Sequence, residues 1–201
     1  MDFNALHQQN QPLLLANVWD ASSAQAAQQA GYQALGSSSA AIAAMLGYED
    51  GEEMSFDELF YVVSRIKTVS ELPLSVDLEA GYGATTSHII DNIRRLAHLG
   101  VSGINLEDSH VVDSTRRLDD AERFAVKLQE ITRAEDIIAI VHHVRLPLNV
   151  MCMPELADFS TLSTLGVKRI SMGNFIYAAT QARLKDLLCQ VQTQHSFSGV
   201  F

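Results

Sequence analysis

Asp77 and Glu79 end an apolar run, 72–76, and a glycine turn, Gly81-Tyr-Gly83, follows them. In a strand, alternate residues face the same side, so both carboxylates point one way. Two acids at the tip of a buried strand repel each other and are costly to desolvate. A hard divalent cation such as Mg²⁺ relieves both penalties, because it is held by carboxylates together with water and substrate oxygens. A second apolar run, 101–106, ends the same way, in Glu107 and Asp108. Two acid-tipped strands side by side predict a metal site on one face of an α/β fold. The alternative reading is a pair of solvated strand-end charges. His110 follows these acids on a polar loop, 108–118, and is a candidate acid/base residue there.

The elements that must position these acids are legible in order. A short helix is expected over 2–9, a strand over 12–19, and a helix capped by Asp20 that reaches Ala30. A second strand, 34–39, dissolves into Ser37, Ser38 and Ser39, and a loop covers 46–54. Ser55-Phe-Asp-Glu58 is a capping box, and Phe56, Leu59, Phe60, Val63 and Ile66 line one face of the helix it starts. Strand three is the acid-tipped 72–77. A helix over 86–98 carries Ile89, Ile93 and Leu96 inward and stops at Gly100. Strand four is 103–106, and another helix starts at Asp119. Later come a strand at 146–151, a helix at 154–165, a strand at 168–172 and a helix at 174–191. Ile137-Ile-Ala-Ile-Val141 is one further candidate strand.

Strands alternating with helices predict a parallel sheet with helical crossovers. Six strands are convincing, whereas a (β/α)8 barrel needs eight and typically about 250 residues. The 201 residues suit a single domain, 1–201. With 47% hydrophobic and 19% charged residues, the chain has ample apolar material for a core. A net charge of −10 argues against nucleic acid or a membrane surface as partner. The first residues lack a basic and apolar leader, so a cytoplasmic protein is expected. Cys152 and Cys189 are far apart and read as reduced thiols.

Four motifs follow one another in the order of the isocitrate lyase/phosphoenolpyruvate mutase superfamily: Asn17-Val-Trp-Asp-Ala-Ser-Ser-Ala24, Leu46-Gly-Tyr-Glu-Asp-Gly51, Val76-Asp-Leu-Glu-Ala-Gly-Tyr-Gly83 and Gly103-Ile-Asn-Leu-Glu-Asp108. The chain resembles most the short bacterial, phosphonomutase-like branch. The resemblance implies an α/β fold of (β/α)8 TIM-barrel type, here incomplete, with six strands and an internal deletion near 134–137. It implies Mg²⁺, a small α-oxo acid and a homo-oligomer. By motif, Asp77 is the direct or water-bridged Mg²⁺ ligand and also faces substrate, with Glu79, Glu107 and Asp50 as further acids of the metal shell. Ser37, Ser38 and Ser39 match the turn that holds the substrate carboxylate; an ordinary turn is the other reading. Asp50 is equally readable as part of a solvated acidic run with Glu49, Glu52 and Glu53. The reaction implied is lysis or a phosphonomutase-like transfer at a C–C or P–C bond, through an enolate.

Two departures qualify that implication. The loop 109–117 contains no cysteine, which argues against isocitrate or methylisocitrate cleavage. The strand that bears the substrate-binding arginine in the superfamily has no counterpart, so a binding or oligomerisation remnant is the alternative to an enzyme. Arg116 and Arg117 read as a solvated pair or as a steering charge. His88 and His98 are expected on the surface, and His142-His143 is not expected to bind metal.

Overall fold

The structure, a computed structural model, describes residues 2–112, 115–133 and 149–201. The strand Leu13–Val18 runs as β1 (Leu13–Leu14) and β2 (Ala16–Val18), broken only at Leu15. Across that break the Leu15 N–H still donates to the Ile170 carbonyl at 2.9 Å. It is followed by β3 (Leu35–Ser37), β4 (Leu74–Asp77) and β5 (Gly103–Asn105). The Ser109–Val112 (β6) and Thr115–Leu118 (β7) strands come next, and β8 (Asn149–Met151) and β9 (Arg169–Ser171) complete the set. All pairings except β6–β7 are parallel. Among the described residues, two parallel sheets, β8–β9–β1 and β2–β3–β4–β5, are joined through the continuous segment 13–18, giving six strand positions in the order β8, β9, β1/β2, β3, β4, β5. This matches the expected count and the α/β barrel type.

One long-range contact shows how far the sheet curls. The Arg169 Nη2–H on β9 donates to Asn105 Oδ1 on β5 at 2.9 Å, and its Nε–H donates to Asn149 Oδ1 on β8 at 2.9 Å. In a flat sheet β9 and β5 would stand four strand spacings, about 19 Å, apart. The guanidinium can reach both edge strands only if the sheet is rolled most of the way round. With neutral amide oxygens as these partners, burial holds the Arg169 guanidinium below its ordinary pKa.

The helices are α1 (Phe3–Leu6), α2 (Ala21–Gln29), α3 (Ser39–Leu46), α4 (Phe56–Val69), α5 (Thr86–His98), α6 (Ala121–Arg133), α7 (Phe159–Thr164) and α8 (Phe175–Gln194). Asp20 caps α2 in a reciprocal box with Ser23, and Ser55 and Glu58 form the expected box on α4. The main core lies between β2–β4 and α2, α4 and α5, with Val18, Leu35, Leu59, Val63, Ile66, Leu74, Val76 and Ile93 among its members. The second half is thinner: Leu162, Val167 and Ile170 form a small separate cluster. α8 buries no residue, although Phe175, Ile176, Leu184 and Leu188 lie along it.

Two expectations are corrected, and one helix, over 39–46, is unanticipated. Within the expected polar loop 108–118, residues 109–112 and 115–118 instead form antiparallel strands, β6 and β7, that pair across four registers. Residues 39–46 form a helix, α3, capped by the Ser38 hydroxyl and ended by Gly47 at φ 88°. Its alanine-rich, nearly uniform apolarity leaves no periodicity to read. The helix expected over 154–165 is only Phe159–Thr164, started by Asp158. The candidate strand 137–141 and His142-His143 lie outside the described residues. Among the described residues, no helix is long and apolar enough to cross a membrane. Both cysteines are free.

Candidate active site

The C-terminal ends of β3, β4 and β5 converge on one corner. Asp77 ends β4 in register with Asn105 of β5. Beyond it the chain turns sharply, with Glu79 at φ 49°, Gly81 at φ 118° and Tyr82 at φ 54°. Left-handed conformations at Glu79 and Tyr82 are strained for residues with a Cβ, on the order of 1–3 kcal/mol each. Three contacts hold the turn. The Gly81 N–H donates to the Leu78 carbonyl at 2.8 Å. The buried Asn92 amide of α5 donates to the Gly81 and Tyr82 carbonyls at 3.1 and 3.0 Å. The Tyr82 N–H donates to Glu52 Oε1 at 2.7 Å. Gly81 cannot be larger, since a Cβ there would stand 2.7 Å from Ile89 Cγ1.

The strained turn aims Glu79 inward, where it is only 3% exposed. The Glu107 N–H donates to the Glu79 carbonyl at 2.7 Å, tying the tips of β4 and β5 together. Asp50 comes from the loop after α3. Arg116 of β7 reaches into the middle of these acids. Its guanidinium lies 3.2 Å from Asp50 Oδ2 and 3.9 Å from Glu79 Oε2, and it bonds Glu107 Oε2 directly. The Ser109 hydroxyl donates to Glu107 Oε2 at 3.2 Å and accepts from Arg116 Nη1 at 3.0 Å.

Asp77 is gripped from the β3 side. The Ser39 hydroxyl and N–H donate to Asp77 Oδ2 at 2.7 and 3.2 Å, and the Asp77 N–H donates to Ser37 Oγ at 2.8 Å. Ser37 accepts there, so its own O–H is left to donate elsewhere. The Ser38 Oγ accepts from the Ala41 N–H at 3.3 Å as the cap of α3.

The charges strain against one another. Burial, then the Asp50, Asp77 and Glu107 carboxylates, push Glu79 up to about 8 against a hydrogen bond from Ser39. Burial raises Asp77 against the two Ser39 bonds, with Asp50 adding to the rise. Glu107 is raised by burial and by Asp77, with Arg116 opposing. Partial burial opposes the charge on Arg116, and Glu107, Glu79 and Asp50 outweigh it, raising its pKa. The site is therefore starved of positive charge even with Arg116 in place.

The structure thus gathers Asp50, Glu79 and Glu107 around one guanidinium, and sets Asp77 and Ser37–Ser39 beside them. It does not bring in His110. The hairpin's alternation puts Ser109, which touches Glu107, on the opposite face from His110. The His110 ring instead pairs with Asp119 at 2.7 Å, near Lys127. His110→Ala is expected to change cation affinity by less than about twofold, as is typical of surface changes; calorimetric titration measures it. Arg116, Asn92 and Glu52 are the participants that sequence reasoning missed. For Asn92 a signal existed: one amide set amid Ile89, Ile93 and Leu96 on the buried face of α5.

The donor set suits a hard divalent cation: carboxylate oxygens whose proton affinities are raised first by burial and then by neighbouring carboxylates. Their present spacing does not. Among the described residues, no three His, Cys, Asp or Glu side chains are close enough to hold a metal ion. The guanidinium lies between them.

The chain is 32% identical over 107 residues to 2-methylisocitrate lyase of Escherichia coli (strain K12), covering 53% of this chain and 36% of that one. It is 36% identical over 95 residues to oxaloacetate decarboxylase of Paraburkholderia xenovorans (strain LB400), covering 47% and 31%. The matches thus span about a third of these relatives' length. A provisionally named phosphonomutase of Burkholderia cenocepacia J2315 superimposes with a TM-score of 0.83 at 29% identity, covering 94% of this chain and 97% of that one. The phosphoenolpyruvate phosphomutase family model matches residues 3–136 and 131–192, in two overlapping pieces. The family match over most of its length and the shared fold show that the chain belongs to the phosphoenolpyruvate phosphomutase family.

Proposed function

We propose that this chain is a Mg²⁺-dependent enzyme that makes or breaks a C–C or P–C bond in a small α-oxo acid. One observation carries the reading: Asp50, Glu79 and Glu107 converge at the strand tips, and Asp77 is held beside them by the serine turn. Asp77 would hold the cation, with Glu79, Glu107 and Asp50 as the further acids of its shell. A cation there supplies Lewis-acid stabilisation of the negative oxygen that develops next to an oxo-carboxylate. The chain's own groups do the rest. Ser39 fixes the Asp77 carboxylate, and Asn92 keeps the strained turn that aims Glu79. The Ser37 hydroxyl offers its proton to a substrate carboxylate oxygen.

The relatives named for 2-methylisocitrate and oxaloacetate support the substrate class. The hairpin has no cysteine, which favours an oxaloacetate- or phosphonopyruvate-type substrate over methylisocitrate. The chain acts as one domain with an internal deletion near 134–137, and as a homo-oligomer, since α8 and the edge strands leave apolar surface to cover. The thin second cluster favours one competing reading, an impaired remnant that keeps only the half-site or serves as an oligomerisation module. Calorimetry with Mg²⁺ and oxalate, a mimic of the enolate, separates the two. Heat from oxalate only when Mg²⁺ is present is the expected result; no heat under that condition overturns the enzyme reading.

A further inference from the structure

Arg169 is a partly buried cation held only by neutral groups. Its Nε–H and one Nη2–H go to the amide oxygens of Asn149 and Asn105. Both N–H groups on Nη1 have no partner among the described residues. No described carboxylate pairs with it either, and burial alone moves its pKa, downwards. Arg116, by contrast, lies against three acids. A charge taken out of water without an opposite charge is costly, and neutral oxygens offset only part of that cost. Its field reaches the buried His7, whose pKa is lowered first by burial and further by Arg169, against the bond to the Phe3 carbonyl.

The surroundings have the same imbalance. Alternation along β4 and β5 puts Ser75, Asp77, Gly103 and Asn105 on one face. The Ser75 hydroxyl there is 2% exposed and has no hydrogen-bond partner among the described residues. Gly103 offers no side chain to cover it, since a Cβ at that position would stand 3.6 Å from Ser75 Oγ. This face therefore carries donors without acceptors. Asn105, in register with Asp77, is exposed, so solutes reach the guanidinium from the β5 side.

We propose that Arg169 anchors a small oxyanion, a carboxylate or a phosphonate, between the edges of β5 and β8. The planar fork can meet two oxygens of either group at once. Binding supplies the negative charge that neither asparagine brings. The anchor is built from this chain's own donors and needs no divalent ion. For the α-oxo acid of the reading above, it takes one acid group and leaves the rest of the molecule facing Asp77, one strand away.

The test titrates metal-free protein, in chelator, with malonate and separately with methylphosphonate. The Arg169 Nε–H resonance is followed by NMR and Tm by melting. A lone fork in a partly exposed site holds an anion at about millimolar, too weakly for oxalate to give heat without the cation. Wild type should show a saturable shift of that resonance and a rise in Tm with at least one anion, and the tighter of the two names the acid group. Arg169→Gln should weaken binding by about ten- to a hundredfold. Arg169→Lys keeps the charge without the fork and should fall between. Arg117→Gln makes the same change of charge at an exposed position and should stay within about twofold. If Arg169→Gln does not fold, the wild-type resonance still decides. No saturable shift with either anion, a shift that chloride reproduces at equal ionic strength, or equal binding in wild type and Arg169→Gln overturns the anchor. Chelator is present throughout, so a missing response to Mg²⁺ and oxalate counts against the enzyme reading and leaves the anchor standing.

Discussion

Asp77→Asn is expected to weaken Mg²⁺ binding by about a hundredfold or more and to remove the oxalate response with it. Partners that merely orient a metal ligand already contribute ten- to a hundredfold in affinity, and a direct ligand should exceed that. Asn keeps the size of Asp77 and can still accept the Ser39 hydroxyl, now 2.7 Å from Oδ2. What it removes is the charge. The substitution should not unfold the protein, because burial already raises the Asp77 pKa and the neutral side chain is easier to bury. Metal-free Asp77→Asn should melt at or above wild type, so lost binding cannot be ascribed to lost fold. Ser39→Ala provides the graded comparison: the carboxylate stays but two-point orientation becomes one, and affinity should drop by about tenfold. If Asp77→Asn keeps Mg²⁺ affinity within threefold of wild type, the proposed metal site loses its central ligand.

Several parts of this site were legible because their signals are local. Asp77 and Glu79 end an apolar run and precede a glycine turn, a pattern confined to the twelve residues 72–83. α4 carries both a capping box and a stripe of apolar residues, and forms where those signals place it. The six strands are short apolar runs, each bounded by a turn or helix cap. What stayed hidden depends on contacts far along the chain. Arg116 is 66 positions from Asp50, and only the hairpin register turns its side chain inward. The arginine beside it, Arg117, falls on the opposite face, so a solvated pair was half of the answer. Ser37 and Ser39 were legible as a polar turn, but not as the grip on Asp77, which forms across some forty residues. α3 escaped for a different reason, since a helix apolar on every side has no period to detect.

Glu79→Gln should invert the usual consequence of deleting a site residue. The Glu79 carboxyl is pushed up to about 8, first by burial and then by the charges of Asp50, Asp77 and Glu107. In the unfolded chain a glutamate titrates near its ordinary value of 4.5. The folded state therefore holds the proton more tightly, and between these two pH values it binds more protons than the unfolded state. Stability from this group is fully present below about pH 4.5 and is lost as pH rises through about 8. Gln has the shape without the proton, so Glu79→Gln escapes that loss. Without metal, the wild type should lose on the order of 2–3 kcal/mol relative to Glu79→Gln between pH 6 and 8.5, or roughly 4–12 °C in Tm for a chain of this size. Saturating Mg²⁺ should close the gap from the wild-type side alone, because a cation favours the ionised carboxylate and Gln gives it nothing to neutralise. Melting curves across that pH range, with and without Mg²⁺, measure this directly. Parallel profiles for the two proteins without metal would mean that Glu79 is ionised at no cost in the closed site, and Arg116 at 3.9 Å would then be a stronger counter-ion than its geometry indicates.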